Sequence, residues 1–369
     1  MSARRKYART IDEAFHWLTV DGKLMSSVAA LTHFERLAST RKKDKEWKKA
    51  FRDVLFQLAI GGRSITASTS GTTGPPKWMT IPRRDLVNSA RVTADAFQLR
   101  EGDRTLICLP CEYIAGKMML VRAMALGLDL HVIDPRGSVI DNLGTTTDRF
   151  RFTAMVPLQL HRAIQEDRAR VEEQFDIILL GGGPVSAVLQ EDLQGLGTHV
   201  FQGYGSTETV THVALRRVNG GVPEELYTAI ANVTFSTDER GCLVVRTPHL
   251  TRKEHVTNDL VQLTDDRHFR WLGRIDNVIL SGGKKIFPEE LEVRTAGVIP
   301  FPHFFTAYPD DLLGQAVTLV LETDQKPEDV LEELMAALLS VLAKHELPRR
   351  VVALRNFHRT RSGKVLRQV

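Results

Sequence analysis

A nine-residue stretch near the start of the chain combines the groups that hold phosphate. Residues 69–77 read Thr-Ser-Gly-Thr-Thr-Gly-Pro-Pro-Lys. Glycines let the backbone turn tightly and point N–H groups at an anion, hydroxyls add donors, and lysine adds a point charge. An ordinary Walker loop is excluded, because Pro76 precedes the lysine and Trp78 follows it. We expect a polyphosphate-binding loop, with a Ser/Thr/Gly linker as the alternative. Its predicted contacts are Thr69, Ser70, Gly71, Thr72, Thr73, Gly74 and Lys77.

A second constellation, at residues 203–209, reads Gly-Tyr-Gly-Ser-Thr-Glu-Thr. Tyr204 offers a ring face to a nucleotide base, and Gly205 lets the backbone approach closely. Thr207 offers a hydroxyl to phosphate, and Glu208 offers the hard oxygen that Mg²⁺ prefers. The alternative is a turn in which Glu208 only caps a helix.

Gly181, Gly182 and Gly183 follow an apolar run and are the third feature. Three consecutive glycines allow a flat ring to lie against the backbone, which favours an adenine pocket over a simple tight turn. Residues 257–259 read Thr-Asn-Asp, a pattern that is also typical of a surface Asx turn. Near its end the chain carries a basic segment from Arg359 to Lys364. By composition alone this segment is an ordinary basic tail.

The composition is that of an ordinary globular protein. Hydrophobic residues make up 43% of the 369 residues and charged residues 25%, which suits about two domains. No apolar run approaches a membrane helix and the basic start lacks the apolar core of a signal peptide, so we expect no membrane insertion and a cytoplasmic protein. The net charge of +4 suits anionic ligands, but without an aromatic-basic stripe it does not predict nucleic-acid binding.

Apolar runs alternate with helical patterns through the middle of the chain. This alternation predicts an α/β sheet covered on both faces, with ligands at the carboxyl ends of its strands. Helical spacing also appears before the phosphate loop, at residues 11–18 and 47–60, and after it, at residues 83–97. The predicted strands of the sheet are residues 105–109, 130–133, 152–156 and 176–180, with helices at 118–126 and near 186–193.

The order of these motifs resembles that of the adenylate-forming superfamily, which comprises acyl-CoA synthetases, peptide-synthetase adenylation domains and luciferases. Residues 273–292, which read from Gly-Arg-Ile-Asp to Pro-Glu-Glu-Leu-Glu, are similar to the hinge and first part of its small domain. The resemblance implies a large domain of packed mixed sheets with covering helices, shortened at the N-terminus, over residues 1–272. It also implies a small, mobile α+β domain over residues 273–369, with a hinge near Asp276.

The resemblance further implies roles for individual residues of the second half of the chain. Asp259 would accept hydrogen bonds from the ribose, and Arg274 would reach the ribose or a phosphate. The turn of Ser281, Gly282 and Gly283 would line a narrow channel for a thiol. Lys364 would enter the active site, where Thr207 and Glu208 are the other catalytic residues. Rotation about the hinge would present Lys364 and the turn in succession.

The implied activity is an ATP-dependent acid–CoA ligase that uses ATP, Mg²⁺ and coenzyme A. A carboxylic acid would first form an acyl-adenylate with release of pyrophosphate, and CoA would then form the thioester with release of AMP. Since no carrier domain follows before Val369, we expect free CoA as the acceptor. A homodimer is an open alternative to a monomer.

Residues 113–117 and 156–160 resemble segments of the o-succinylbenzoate–CoA ligases of menaquinone biosynthesis. This acid keeps a second carboxylate, for which Lys117 and His212 are the candidate partners; a solvated helix start and a satisfied core histidine are their respective alternatives. Tyr113 replaces a histidine common in relatives, and Trp78 replaces a glycine. The predicted acid-binding residues are Tyr113, Lys117, Gln159, Ser206, Thr209 and His212.

Three competing interpretations accompany this hypothesis. The chain could be an aryl- or fatty-acyl-CoA ligase of another pathway. A non-catalytic nucleotide-binding module is the second, although nucleotide binding alone does not require Lys364. A redox or metal role of Cys108 and Cys111, which form a Cys-x-x-Cys pair without a second pair, is the third.

Overall fold

The computed structural model describes residues 10–39, 45–68, 77–221, 224–359 and 365–367. The chain divides into two compact units. Unit 1 comprises Met1–Gly183, Asp192–Thr234 and Arg246–His255, and unit 2 comprises Pro184–Glu191, Phe235–Val245 and Val256–Val369. The boundary predicted at residues 272 and 273, and the hinge at Asp276, stay predictions.

Unit 1 is a parallel α/β sheet with antiparallel additions at both ends. Its strands are β1 (Trp17–Val20), β2 (Lys23–Ser26), β3 (Ser64–Ser68), β4 (Trp78–Pro82), β5 (Arg104–Ile107), β6 (Asp129–Val132), β7 (Phe152–Met155), β8 (Ile177–Leu180), β9 (His199–Gly205), β10 (His212–Arg217) and β11 (Tyr227–Ala229). Its helices are α1 (Ser27–Ser39), α2 (Lys45–Ala59), α3 (Arg83–Phe97), α4 (Ile114–Leu126), α5 (Val139–Leu143) and α6 (Pro157–Gln174).

The strands of unit 1 follow the order β11-β10-β9-β8-β7-β5-β6-β1-β2. The run from β9 to β1 is parallel, whereas β10, β11 and β2 pair antiparallel. The strands β3 and β4 form a separate antiparallel pair. Because β7 and β8 are buried along their whole length, they read as continuous apolar runs, as parallel strands covered on both faces do. The α/β class expected from the sequence is confirmed.

Helix α4 belongs to unit 1 and is buried from Gly116 to Leu126. A helix that is buried on all sides is surrounded by other elements, and this one contacts α2, α3 and several strands. It can pack against the loop after β5 because Gly116 lacks a side chain: a Cβ there would lie 2.3 Å from the Pro110 carbonyl oxygen. Lys117 and Arg122 are the two charged residues of this buried helix.

Unit 2 contains two sets of strands. The first set runs in the order β12-β13-β14-β15, and the second in the order β17-β16-β19-β18, with β20 added in parallel to β19. Leu291, Leu319, Leu334 and Leu338 lie in the apolar core between the second set and its helices. The elements are β12 (Thr234–Thr237), β13 (Cys242–Arg246), β14 (Glu254–Leu263), β15 (His268–Arg274), β16 (Ile279–Ser281), β17 (Lys284–Ile286), β18 (His303–Asp310), β19 (Gly314–Glu322), β20 (Arg350–Leu354), α7 (Ala187–Asp192), α8 (Pro288–Thr295) and α9 (Pro327–Val341).

Most predicted elements are found within a few residues of their predicted ends, and the helix over Arg83–Phe97 is found at the predicted bounds. The helix predicted at residues 11–18 is wrong. A short 3-10 turn over Glu13–Phe15 leads there into β1, which pairs with β2 and β6. Tertiary pairing therefore overrode the local apolar spacing. Among the residues that the structure describes, none forms a helix both long and apolar enough to cross a membrane.

Candidate active site

The sequence motifs of unit 1 follow neighbouring parallel strands. The Cys108–Lys117 segment follows β5, residues 156–160 follow β7, the glycine triplet follows β8, and Ser206 follows β9. These four strands are adjacent in the order β9-β8-β7-β5. Because parallel strands end at the same edge of a sheet, the structure brings these segments to one edge, where α/β proteins bind ligands.

The turn after β9 is held by its own threonine. The Thr209 hydroxyl accepts from the Ser206 N–H at 2.9 Å and lies 2.8 Å from the Thr211 carbonyl oxygen. Thr209 is buried with this hydroxyl engaged inside the turn, whereas Ser206 and Glu208 are exposed. Gly205 permits the close return of the chain, since a Cβ there would lie 2.2 Å from the Thr211 carbonyl oxygen.

The glycine triplet and Gln159 form the next part of the edge. Gly182 has φ +80°, and added Cβ atoms at Gly181 and Gly183 would meet nothing within 4 Å, which leaves room for a flat group. Gln159 uses both ends of its amide on backbone: its nitrogen donates to the Cys108 carbonyl at 2.8 Å, and its oxygen accepts from the Val156 N–H at 3.1 Å. In this structure Gln159 caps α6.

Lys117 lies on α4 and is 5% exposed. Its ammonium donates to the backbone carbonyl of Thr66 in β3 at 2.6 Å. Burial lowers the pKa of Lys117, and Cys111 and Glu112 partly oppose this shift. The lysine thus links α4 to the strand that precedes the predicted phosphate loop, an arrangement that favours a structural role over contact with the acid.

Arg122, five residues further along α4, was missed by the sequence reasoning. Its side chain is 1% exposed and donates to the hydroxyls of Thr93 at 3.2 Å and Thr211 at 3.1 Å. A third donor contacts the sulfur of Met119, and the guanidinium lies over the ring of Phe152. Burial lowers the pKa of Arg122 to about 9, so the group is cationic at neutral pH.

No carboxylate of the described residues pairs with Arg122. A buried cation without an anion is costly by several kcal/mol, and natural proteins retain such groups where they serve a purpose. The only sequence signal was the position of an arginine inside an otherwise apolar helix.

His212 lies beside this cation. Its Nε2 is 3.5 Å from the Thr93 hydroxyl, and its Nδ1 is 3.2 Å from the Thr211 hydroxyl. Burial, with Arg122 and His249 adding repulsion, lowers the pKa of His212 well below its usual value. His212 is therefore neutral at pH 7. The structure brings it together with Arg122, Thr93 and Thr211 into one polar cluster that we call the Arg122 cluster.

The predicted nucleotide contacts of unit 2 lie on adjacent strands. Asp259 pairs with Arg274 in the register of β14 and β15, and their side chains are 3.7 Å apart. Arg274 also forms an ion pair with Asp276 at 2.6 Å. The Asn258 amide lies 3.4 Å from both Asp276 oxygens. Residues 257–259 are thus part of a strand, so the Asx-turn alternative is wrong.

Ser281 and Gly282 line a cleft of about 290 Å³ within unit 2. Gly282 and Gly283 have φ +55° and +77°, which makes a left-handed turn that glycine adopts without strain. Basic side chains share the cleft wall, namely Lys284, Lys344 and Arg349. Such a wall attracts phosphorylated ligands.

The remaining predicted residues are of two kinds: some lie outside the described residues, and others are described. The phosphate contacts Thr69 to Gly74, and Lys364, lie outside the described residues. Lys77 is described and exposed, and it directly precedes β4. Tyr113 is half-buried at the N-terminus of α4. Tyr204 packs edge-on against Tyr227, with ring centroids 5.7 Å apart.

Cys108 and Cys111 are both buried free thiols. Burial raises the pKa of Cys108 to about 12, and it raises the pKa of Cys111 as well. Thiols that stay protonated are poor nucleophiles and poor metal ligands. This finding counts against the redox and metal interpretation.

Glu208 is the predicted ligand of Mg²⁺. The described residues contain no cluster of three His, Cys, Asp or Glu side chains that could hold an ion. Glu208 is an exposed carboxylate at the carboxyl edge of the unit 1 sheet. Mg²⁺ is commonly bound by one or two carboxylates together with substrate phosphates, so Glu208 fits this mode.

Comparison with known proteins places the chain in a family. The family model described as AMP-binding enzyme matches residues 67–253. The chain is also 37% identical to the acyl-CoA synthetase (AMP-forming)/AMP-acid ligase II-like protein of Dyadobacter fermentans, whose crystal structure it matches with a TM-score of 0.58 over 90% of this chain and 96% of that one. The chain belongs to the AMP-binding enzyme family.

More particular similarities point to one group within the family. The chain is 25% identical to a 2-succinylbenzoate–CoA ligase of Geobacillus sp. (strain WCH70) over 81% of this chain, and it spans 66% of that relative's length. Its fold is similar, with a TM-score of 0.69 and 23% identity, to O-succinylbenzoate coenzyme A synthetase of Bacillus subtilis in complex with ATP and magnesium ion. That match covers 93% of this chain and 81% of the other.

Proposed function

We propose that this chain is an AMP-forming acid–CoA ligase that acts on an acid with two carboxylates, 2-succinylbenzoate being the leading candidate. Family membership supports the reaction class, and the relatives' names support the acid. The observation that carries the choice of acid is the buried, carboxylate-free Arg122. A ligand carboxylate beside it would supply the missing anion.

The route to this cation runs through the motif after β9. Arg122 donates to Thr211, which is half-buried and comes two residues after Thr209. An acid activated near Thr207 and Glu208 could therefore extend its second carboxylate toward the Arg122 cluster. Neutral His212 can donate or accept there without adding a second positive charge.

In the first step, an oxygen of the substrate carboxylate attacks the α-phosphorus of ATP. The new O–P bond replaces the bond to pyrophosphate, which leaves. Thr207 is proposed to donate to phosphate, Lys364 to bridge the attacking carboxylate and the α-phosphate, and residues 69–77 to hold the outer phosphates. When bound at Glu208 and the phosphates, Mg²⁺ would neutralise part of the triphosphate charge.

In the second step, the CoA sulfur attacks the acyl carbon, AMP leaves and the thiol proton passes to solvent. Ser281, Gly282 and Gly283 are proposed to line the path of the thiol. The basic wall of the unit 2 cleft suits the phosphates of CoA. Asp259 and Arg274 are proposed to hold the ribose.

The test is pyrophosphate release with ATP, Mg²⁺ and a panel of acids, with and without CoA. The panel contains 2-succinylbenzoate, its monoester at the carboxylate that is not activated, benzoate and octanoate. We expect 2-succinylbenzoate to be preferred over the monoester, with AMP and a CoA thioester as products. A preference for benzoate or octanoate would favour the aryl- or fatty-acyl-CoA ligase alternative. ATP binding without turnover of any acid would favour the non-catalytic module.

The role of Lys364 has its own test. Lys364→Ala should abolish most adenylation while thioester formation from a preformed acyl-adenylate continues, because the contact proposed for this lysine, with the attacking carboxylate and the α-phosphate, is needed only in the first step. Equal loss in both half-reactions would contradict this division of labour.

A further inference from the structure

A row of side chains on one face of the unit 1 sheet leads to the glycine triplet. Gln202 of β9 lies opposite Leu180, the last residue of β8, and opposite Arg216 of β10. Residues that lie opposite each other on neighbouring strands project from the same face of the sheet. The row therefore runs from Arg216 through Gln202 to the strand end from which residues 181–183 continue.

The Gln202 side chain joins Arg216 to the triplet. Its amide nitrogen donates to the Gly183 carbonyl at 3.1 Å, and its amide oxygen accepts from Nε of Arg216 at 2.8 Å. Gln202 is buried, with 5% of its surface exposed. An arginine Nε can only donate and a carbonyl can only accept, so the two partners together allow a single orientation of the amide.

The triplet depends on contacts from outside to hold one conformation, because glycine leaves the backbone free to turn. At its first end, the Gly181 N–H donates to the Met155 carbonyl of β7 at 2.9 Å. At its last end, the Gly183 carbonyl accepts from Gln202. Gly182 lies between these two contacts at φ +80°. Loss of the Gln202 contact would therefore release the last end of the triplet.

Arg216 is half-buried, and no carboxylate of the described residues pairs with it. Its guanidinium lies over the ring of Tyr227, 5.2 Å from the ring centroid, and Tyr227 in turn packs edge-on against Tyr204. The ring confines the guanidinium while Nε is directed at Gln202. An ion pair thus does not explain this arginine, whereas the orientation of the Gln202 amide does.

We propose that Arg216 is a positioning residue for the adenine base, and that it acts through Gln202 on the Gly183 carbonyl. The inference rests on the proposed function, because ATP binding is what gives residues 181–183 their role as the adenine pocket. Arg216 keeps the Gln202 oxygen occupied, which leaves the amide nitrogen facing Gly183. Without Arg216 the amide could turn over and place its oxygen against the Gly183 carbonyl, where two acceptors repel each other. The backbone against which the flat ring is expected to lie would then move.

The experiment measures equilibrium binding of ATP to wild type, Arg216→Met, Gln202→Leu and the double variant. We expect Arg216→Met to weaken binding about tenfold, the effect of losing one hydrogen bond to a charged group. Arg216→Lys, whose ammonium can still donate to the Gln202 oxygen, should lose less. In the double variant, binding should stay within about twofold of Gln202→Leu alone, because Arg216 then has no amide to orient. Losses that add in the double variant would overturn the inference.

A second ligand and a control variant separate an effect on the base from general damage. Tripolyphosphate has no base, so its competition with ATP should be equally strong in wild type and Arg216→Met, and kcat at saturating ATP should stay within about threefold. Arg217→Met is the control: Arg217 projects from the other face of β10 and contacts the His199 ring at 3.0 Å, so ATP binding should be unchanged. Equal weakening of ATP and tripolyphosphate by Arg216→Met would overturn the inference.

Hydrogen exchange provides a readout that does not depend on activity. In Arg216→Met without nucleotide, the amides of Gly182 and Gly183 should exchange faster, while peptides from β7 and the thermal midpoint are unchanged. Unchanged exchange at these glycines would overturn the inference whether or not the wild type is active. A wild type that binds ATP and shows these effects but adenylates no acid would support the inference and contradict the proposed function. A wild type that binds no ATP would contradict both.

Discussion

The guanidinium of Arg122 donates to the Thr211 hydroxyl at 3.1 Å, and this contact joins the centre of α4 to the turn that carries Thr207 and Glu208. A cation in the core of unit 1 is thereby linked to the motif proposed to hold phosphate and Mg²⁺. Arg122 should therefore have two measurable effects. It should make the enzyme prefer an acid with a second carboxylate, and it should lower the free energy of unfolding when no acid is bound.

We expect Arg122→Met to lower kcat/KM for 2-succinylbenzoate roughly 30-fold or more, because the second carboxylate loses its cation. This factor corresponds to a loss of about 2 kcal/mol in transition-state stabilisation. The monoester, which lacks that charge, should be affected much less. The same variant should be as stable as wild type or more stable by about 1 kcal/mol, since an unpaired buried charge is replaced by an apolar side chain. Steady-state kinetics and urea unfolding measure the two effects. Equal losses for both acids would contradict a role in selecting the acid.

A substitution of Lys117 tests whether this lysine, and not Arg122 on the same helix, binds the second carboxylate. Because its ammonium contacts the Thr66 carbonyl, we expect Lys117→Met to lower kcat/KM for 2-succinylbenzoate and for its monoester by the same factor. The KM for ATP should rise, since β3 leads into the predicted phosphate loop. A selective loss of the dicarboxylate, measured with the same pair of acids, would instead restore Lys117 as the carboxylate partner expected from the sequence.

The histidines around the Arg122 cluster predict how stability depends on pH. Burial lowers the pKa of His212, His249 and His255 in the folded protein. At pH values between these lowered pKa values and about 6.5, the unfolded chain binds more protons than the folded one. The stability contributed by neutral histidines is therefore complete above pH 6.5, and it is lost as the pH falls toward the folded-state values.

Thermal unfolding between pH 8 and pH 5 measures this dependence. The midpoint temperature of the wild type should decrease as the pH falls below about 6.5. His212→Gln, which stays neutral, should make this decrease smaller. His33 is exposed on α1, so His33→Gln is the matched control and should follow the wild-type curve. Parallel curves for wild type and His212→Gln would show that His212 does not cause the loss.

The turn after β9 depends on Gly205. An added methyl group would lie 2.2 Å from the Thr211 carbonyl oxygen, which belongs to backbone and cannot rotate away. We expect Gly205→Ala to destabilise the protein by about 1–3 kcal/mol and to shift the Thr211 contact to Arg122. Gly197→Ala is the control, because a Cβ at Gly197 would meet no atom within 4 Å. Urea midpoints that are equal for the two variants would contradict the close approach.

The sequence by itself determined the α/β class, most of the helices and strands, and the segments that meet at the carboxyl edge of the sheet. These features are local: burial on both faces gives continuous apolar runs, and loops that approach ligands use glycine and hydroxyl residues. The roles of Lys364 and of the phosphate-loop residues from Thr69 to Gly74 stay predictions, because they lie outside the described residues.

Only the tertiary structure decided which polar groups of the interior act together. Arg122 meets Thr93 and Thr211, which are 29 and 89 residues away along the chain, and Lys117 reaches Thr66 across 51 residues. Nothing in the local pattern of α4 distinguishes its two cations, because both interrupt the same apolar helix. What separates them is the neighbour that folding supplies: a backbone carbonyl accepts from Lys117, whereas Arg122 contacts only neutral groups, and we propose that a substrate carboxylate balances its charge.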